Sequence, residues 1–329
     1  MRSAGVTDTG RRRRRNEDAY VCEPPLFAIA DGMGGAQAGE VASGLAAAVL
    51  EETRLDAAAD DGEARIEELI REANRRVFQR SNEDAATSGM GTTMTVALVN
   101  DADGTIAFGH VGDSRAYRVR DGRLDQLTDD HSLVGELMRS GKLSAEEAEA
   151  HPQRSVITRA LGTEPDIDVD TFTVEAEPDD VFLLCSDGLT DMVSDRDILA
   201  VLQATPNRQS DDLQAAARAL VEAANAGGGE DNITVVVFRI DDADEAGATS
   251  EPAAGGAPLG DDEDTLSGLE KVPAVDTAVI PAEEVVRQAE EDEREGKRDG
   301  ESRRRLLPLL LLVLLLALVA LLVVWGLYR

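Results

Sequence analysis

The sequence predicts an α+β fold in which antiparallel sheets are covered by helices. Strand-like runs cluster together, and helical patterns are set between the clusters instead of alternating one for one. Residues 93–120 read as a hairpin series, with turns at Asn100-Asp101-Ala102-Asp103-Gly104 and, just beyond, Asp121-Gly122. A doubly wound parallel sheet would need a helix after each strand, and that rhythm is missing.

In chain order, strands are expected at 19–22, 27–30, 93–99, 105–111, 116–119, 168–174, 181–185 and 233–240. Several alternate apolar and polar residues, or are short apolar runs bounded by Gly or Asp. Helices are expected at 40–52, 63–81, 133–140, 144–150, 195–204 and 211–224. No internal repeat is visible.

Composition divides the 329 residues into three zones. Residues 1–240 carry the mixed pattern above and are long enough for one sizeable core. Residues 241–305 are rich in Asp, Glu, Ala, Gly and Pro and read as an acidic disordered linker, too polar to offset chain entropy. Residues 306–328 are almost wholly Leu, Val and Ala and read as a transmembrane helix, about 34 Å long against roughly 30 Å of hydrocarbon. Pro308 falls in its first turn, and Trp325 and Tyr328 fall at the far interface. Arg303, Arg304 and Arg305 precede it and only Arg329 follows, which places the N-terminal bulk in the cytoplasm. The expected location is thus the cytoplasmic membrane, single-pass, with almost nothing outside the cell.

The formal net charge of −32 argues against a nucleic-acid partner, because phosphate backbones would be repelled. Cys22 and Cys185 belong to no paired motif; Cys185, inside an apolar run, reads as a buried free thiol in a reducing compartment. The three histidines have no zinc-ligand spacing, and no secretory signal opens the chain.

The chemistry lies in aspartates beside small residues at strand ends. Asp31-Gly32-Met33-Gly34-Gly35 follows Leu26-Phe27-Ala28-Ile29-Ala30, and the glycines let the backbone approach a metal, with the Gly32 carbonyl as a ligand. Ser186-Asp187-Gly188 repeats the pattern after the 181–185 run, and Asp231 stands before the last strand. Each alone is also what a tight turn looks like; three at three strand ends are harder to read that way. Asn16-Glu17-Asp18 adds two acids, and Asp113 sits in Gly112-Asp113-Ser114-Arg115. Oxygen-only ligands favour Mn²⁺ or Mg²⁺. The run Arg11 to Arg15 is either a bland basic surface or the source of one arginine that grips a phosphate; the run itself does not say which. Together these residues point to metal-dependent phosphate ester chemistry, with no reactive cysteine or activated serine as nucleophile.

The ordered set Gly10-x-x-Arg13-x-x-Asn16-Glu17-Asp18, Asp31-Gly-Met-Gly-Gly, Gly89-Met-Gly-Thr-Thr93, Gly112-Asp-Ser-Arg-Ala-Tyr117, Asp130-His-Ser132, Ser186-Asp-Gly-Leu189 and Glu230-Asp-Asn-Ile-Thr234 resembles the PPM family. These are the metal-dependent, type 2C protein serine/threonine phosphatases. The resemblance covers residues 1–240 and implies a four-layer α-β-β-α sandwich, two central antiparallel sheets flanked by helices. It implies that Asp31 bridges two metals, that Glu17 and the Gly32 carbonyl serve one, and that Asp187 and Asp231 serve the other. Asp113 would join Asp187 at a third, weaker site known in bacterial members. Asp18 would orient the attacking water and Arg13 would hold the substrate phosphate. Residues 127–161 would form a mobile flap, with Ser155 lending a ligand. Where some members have a histidine after Asp-Gly, this chain has Met33, so the proton donor to the leaving group is left between His131 and a water on the metals. The linker and terminal span are similar to those of bacterial, membrane-anchored members that oppose eukaryotic-like Ser/Thr kinases; the implied partners are phosphorylated proteins, such kinases among them. Two other readings are a catalytically inactive regulatory module, which would usually lack one of the acids, and a hydrolase of small phosphates.

Overall fold

A computed structural model describes residues 1–34, 38–53, 61–83, 85–204 and 210–241, with the backbone of 278–279. The acidic linker, apart from Asp241 and that short backbone stretch, and the span expected at 306–328 lie outside the described residues. Among the described residues no helix is long and apolar enough to cross a membrane.

The strands in chain order are β1 (Arg2–Asp8), β2 (Asp18–Glu23), β3 (Leu26–Met33), β4 (Gly91–Thr92), β5 (Met94–Asn100), β6 (Thr105–Val111), β7 (Arg115–Arg120), β8 (Arg123–Gln126), β9 (Val156–Ile157), β10 (Asp170–Glu175), β11 (Val181–Cys185), β12 (Ile233–Arg239) and β13 (Ala278–Val279). The helices are α1 (Ala38–Glu52), α2 (Gly62–Glu83), α3 (Leu133–Arg139), α4 (Ala145–Glu149), α5 (Asp187–Thr190), α6 (Asp195–Gln203) and α7 (Ser210–Gly227). Every strand and helix expected from the sequence forms, with its ends moved by a few residues at most.

Two antiparallel sheets lie face to face. One runs β1-β12-β11-β7-β8, the other β10-β6-β5-β3-β2 with β4 beside β3. β9 stands apart and pairs in parallel with β13. Between the sheets a dry layer holds Phe27, Phe108, Phe182, Val236 and Phe238. Phe27 and Phe238 come from opposite sheets and stack with ring centroids 4.1 Å apart. On the outer face of the β3 sheet, α1 and α2 pack through residues such as Leu50, Ile66 and Ile70 against Val96 and Leu98. In α2 the buried positions Ile66, Leu69, Ile70, Ala73 and Val77 recur at helical spacing and so form one stripe. The other sheet is covered by α6 and α7 through Ile198, Leu202, Leu213 and Leu220. The order is therefore helix, sheet, sheet, helix, as the resemblance implied.

β1 was not expected, because Arg2–Asp8 reads as polar. It pairs with β12 along its whole length, from Arg2 opposite Arg239 to Asp8 opposite Ile233. Long-range pairing supplied what local pattern withheld. Gly5 is required there, since a Cβ would lie 2.4 Å from the Tyr20 ring.

Phe238 is fully buried and stacks on both Phe27 and Phe182. Phe238→Ala is expected to cost about 3–5 kcal/mol of stability, read as a lower urea midpoint at unchanged slope.

Candidate active site

The ends of both sheets bring the sequence-predicted acids to one cleft. Asp18 opens β2 and stands directly opposite Asp31 of β3, so both side chains leave the same face. Asp187 follows β11 and begins the short helix α5, Asp231 precedes β12, and Asp113 lies in the turn between β6 and β7. The backbones come close enough that glycine is needed. A Cβ on Gly32 would lie 2.1 Å from the Gly39 carbonyl oxygen, and one on Gly188 would lie 2.0 Å from that of Asn232.

Each acid is held by polar neighbours that the motifs supply. The Asp31 N–H donates to Thr93 Oγ1 at 3.0 Å. Its carbonyl accepts from the Thr92 hydroxyl at 2.8 Å and the Thr93 N–H at 2.9 Å. Asp18 Oδ2 accepts from Thr234 Oγ1 at 2.6 Å and Ser186 Oγ at 2.9 Å. Thr234 Oγ1 is 2.7 Å from Thr7 Oγ1, which accepts from Asn16 Nδ2 at 2.7 Å. The direction of that chain is fixed, since an ionised Asp18 only accepts: Asn16 donates to Thr7, Thr7 to Thr234, and Thr234 to Asp18. Asn232 clamps the arginine loop. Its Oδ1 accepts from the Glu17 N–H at 2.8 Å, and its Nδ2 donates to the carbonyls of Thr9 and Arg15 at 3.0 and 2.8 Å. Asn232, Thr92, Thr93, Ser186 and Thr234 all stood in the quoted motifs, but nothing local marked what they would hold.

Burial and mutual repulsion push the carboxyl groups upward. Asp31 and Asp187 rise well above the ordinary range, first because they are taken from water and then because Asp113, Asp18 and Asp231 stand near them. Burial raises Asp18 to about 6 and Asp113 to about 7. Glu17 is also raised, chiefly by burial. Asp191, to which the sequence reading gave no role, joins the cluster and is raised by burial, with Asp231 and Glu230 adding to it. Arg13 is the counterweight: burial opposes its charge, but Asp231 at 2.6 Å outweighs that and its pKa rises.

The donor set fits hard divalent cations. Asp18 Oδ1 and Asp187 Oδ1 are buried and have no hydrogen-bond partner, a costly state for a carboxylate unless a cation meets it. Every ligand on offer is oxygen, as Mn²⁺ and Mg²⁺ prefer. Among the described residues no three acidic or histidine side chains already stand in metal-holding geometry. Bare carboxylates repel one another, and Arg13 draws Asp231 to itself.

Both ring nitrogens of His131 are engaged inside the fold. It is buried; its Nδ1 accepts from the Gly112 N–H at 3.0 Å, which leaves the proton on Nε2, 3.1 Å from Asp170 Oδ2. Burial, then Arg159, lowers its pKa. The ring ties the Asp113 turn to Asp170, and the His131 backbone carbonyl accepts from the Thr158 N–H at 2.8 Å. Ser155 lies just before β9, half-buried, with no hydrogen bond to the acidic cluster among the described residues.

A family model described as Protein phosphatase 2C matches residues 11–223. The chain belongs to that family. A serine/threonine phosphatase stp of Listeria monocytogenes is 40% identical over 244 residues, covering 71% of this chain and 94% of the relative. Among solved structures, the serine/threonine phosphatase PstP/Ppp of Mycobacterium tuberculosis is 40% identical, with a TM-score of 0.69 over 73% of this chain and 99% of that one. A structure of the PstP catalytic domain in complex with two manganese ions is 38% identical, with a TM-score of 0.66 over 73% of this chain and 98% of that one. The sandwich and its acidic cleft are thus those of a metal-dependent protein phosphatase.

The raised carboxyls make a signed prediction for the metal-free protein. A carboxyl whose folded pKa lies above its ordinary value of 3.8 weakens the fold progressively as pH climbs between the two values. In chelator, Asp113→Asn is therefore expected to match the wild type near pH 4 and to exceed it by about 2–4 kcal/mol near pH 8, measured by urea unfolding. Equal stability at both pH values would refute the assignment.

Proposed function

We propose that this protein is a phosphoserine/phosphothreonine protein phosphatase that works with two Mn²⁺ or Mg²⁺ ions and a third, weaker one. The convergence of Asp18, Asp31, Asp187 and Asp231 beside Arg13 carries this reading, with two of their buried oxygens unpartnered. Asp31 would serve both principal ions, with Glu17 and the Gly32 carbonyl holding one and Asp187 and Asp231 the other. Asp113 and Asp187 would hold the third. Bound there, the ions supply a nucleophile near neutral pH and offset charge building at phosphorus. Arg13 exchanges Asp231 for the substrate phosphate, a charge-assisted contact worth about 1.5–3 kcal/mol. Asp18, with Oδ2 fixed by Thr234 and Ser186, offers Oδ1 to orient the attacking water and receive its proton. An inactive regulatory module is disfavoured because none of the expected acids is missing.

The physiological setting follows from the sequence. The apolar stretch 306–328 anchors the catalytic domain to the inner face of a cytoplasmic membrane, where phosphorylated proteins and membrane Ser/Thr kinases are its partners.

Three outcomes test this. Hydrolysis of a phosphothreonine peptide is expected to need Mn²⁺, to stop in chelator, and to fall by at least about 10³-fold in Asp31→Asn, the loss typical of removing a central electrostatic element. Arg13→Ala is expected to raise KM by about tenfold or more, one charge-assisted contact's worth. Removing residues 306–329 is expected to slow dephosphorylation of membrane-bound targets in cells while leaving soluble peptides unaffected; unchanged rates on both would sink the anchor's role.

A further inference from the structure

Arg13 is one of five consecutive arginines, and it alone turns into the cleft; Arg11, Arg12, Arg14 and Arg15 are exposed. The run is a fixed turn. The N–H groups of Arg11 and Arg12 both donate to the Gly229 carbonyl, at 2.7 and 3.2 Å. The Asn232 side chain holds Thr9 and Arg15 at its two ends. Gly229, with φ +55°, leaves room for the Arg11 stem, since a Cβ there would lie 2.8 Å from Arg11 Cγ. The backbone that positions Arg13 on Asp231 thus also fixes where its neighbours stand.

With 65 acidic and 33 basic side chains, many arginines elsewhere find carboxylates, although Arg139, Arg196 and Arg218 have no acidic partner among the described residues. What sets the neighbours of Arg13 apart is that three such arginines stand together on one turn. On α2, Arg65, Arg71, Arg75 and Arg76 all pair with nearby glutamates. At the cleft mouth Arg15 reaches Glu40 at 3.5 Å, but among the described residues Arg11, Arg12 and Arg14 have no acidic partner. Glu230, exposed just past Gly229, is the nearest acid in sequence on the facing turn and lies on the side of Asp191. Three unpaired guanidinium groups, tethered within two residues of the phosphate-binding arginine, form a compact cationic rim.

We propose that Arg11, Arg12 and Arg14 form a second anion subsite beside the reaction centre. It selects protein segments that carry a further phosphate, or a run of carboxylates, within a few residues of the phosphate being removed. This rests on the phosphatase reading above and adds the substrate class. Guanidinium forks match phosphate and carboxylate oxygens in pairs, and the rim's field attracts anionic segments toward the cleft of an otherwise acidic protein.

The full chain in detergent is compared with its R11Q/R12Q/R14Q variant, using three phosphothreonine peptides: neutral flanks, glutamate flanks, and a second phosphothreonine. Binding is read by fluorescence anisotropy in chelator, where nothing turns over, and kcat/KM is read with Mn²⁺. The wild type is expected to prefer both anionic peptides by about tenfold at low salt, an advantage that fades near 1 M salt. The variant is expected to lose that preference while still handling the neutral peptide. Equal binding of all three by the wild type, or an unchanged preference in the variant, overturns the subsite; so does a variant that fails on neutral and anionic peptides alike. If only the glutamate or only the diphosphorylated peptide is preferred, that names the anion. Binding preference without turnover would fault the phosphatase reading and leave the subsite standing. A full-length D261N/D262N/E263Q/D264N variant addresses the chain's own linker: if it gains affinity for anionic peptides only when the arginines are present, the linker is the occupant and the substrate reading falls.

Discussion

Carboxylates from separate stretches of chain are forced together at the ends of two sheets, where water is scarce, and their mutual repulsion sets the terms for everything around them. Asp18, Asp31, Asp113 and Asp187 all have raised pKa values, with loss of solvent the first cause in each. Such a cluster persists only if the surrounding fold is rigid enough to hold it and if a positive charge answers it. Arg13 provides one such charge. Divalent ions provide the rest in the proposed working protein.

The sandwich supplies that rigidity. The stacked Phe27, Phe238 and Phe182 lock one sheet on the other, so the strand ends that carry the acids cannot drift apart. Glycines at 32 and 188 permit backbone approach that any side chain would block. Hydroxyl donors at Thr92, Ser186 and Thr234 then fix individual carboxylates and carbonyls, so that part of the cost of crowding charge is offset by oriented dipoles. Asn232 extends this control to the arginine loop by taking one donor and giving two.

Electrostatics on the outside follow a different logic. The chain is strongly acidic overall, yet the loop beside the cleft sets three arginines without acidic partners next to one another. Clustered positive charge beside the reaction centre of an acidic protein steers anions toward it, which suits chemistry on phosphate esters.

Sequence pattern alone was enough for the strands from 181–185 and 233–240, whose apolar runs declare themselves, and for the helix over Ile66, Leu69, Ile70, Ala73 and Val77. It also identified the chemistry, because Asp beside Gly after a buried strand restricts what the residue can do. It did not disclose β1, which exists only because β12 accepts its whole length. It left His131 open as an acid, whereas the packed structure commits both ring nitrogens to Gly112 and Asp170. Nor could it say that Thr7, Asn16 and Thr234 form one directed chain ending on Asp18. The division has one cause. Periodicity and residue type act over a few neighbours and are written in the chain, while hydrogen-bond direction and charge proximity depend on partners up to 239 positions away, as between Arg2 and Asp241, which only folding brings together.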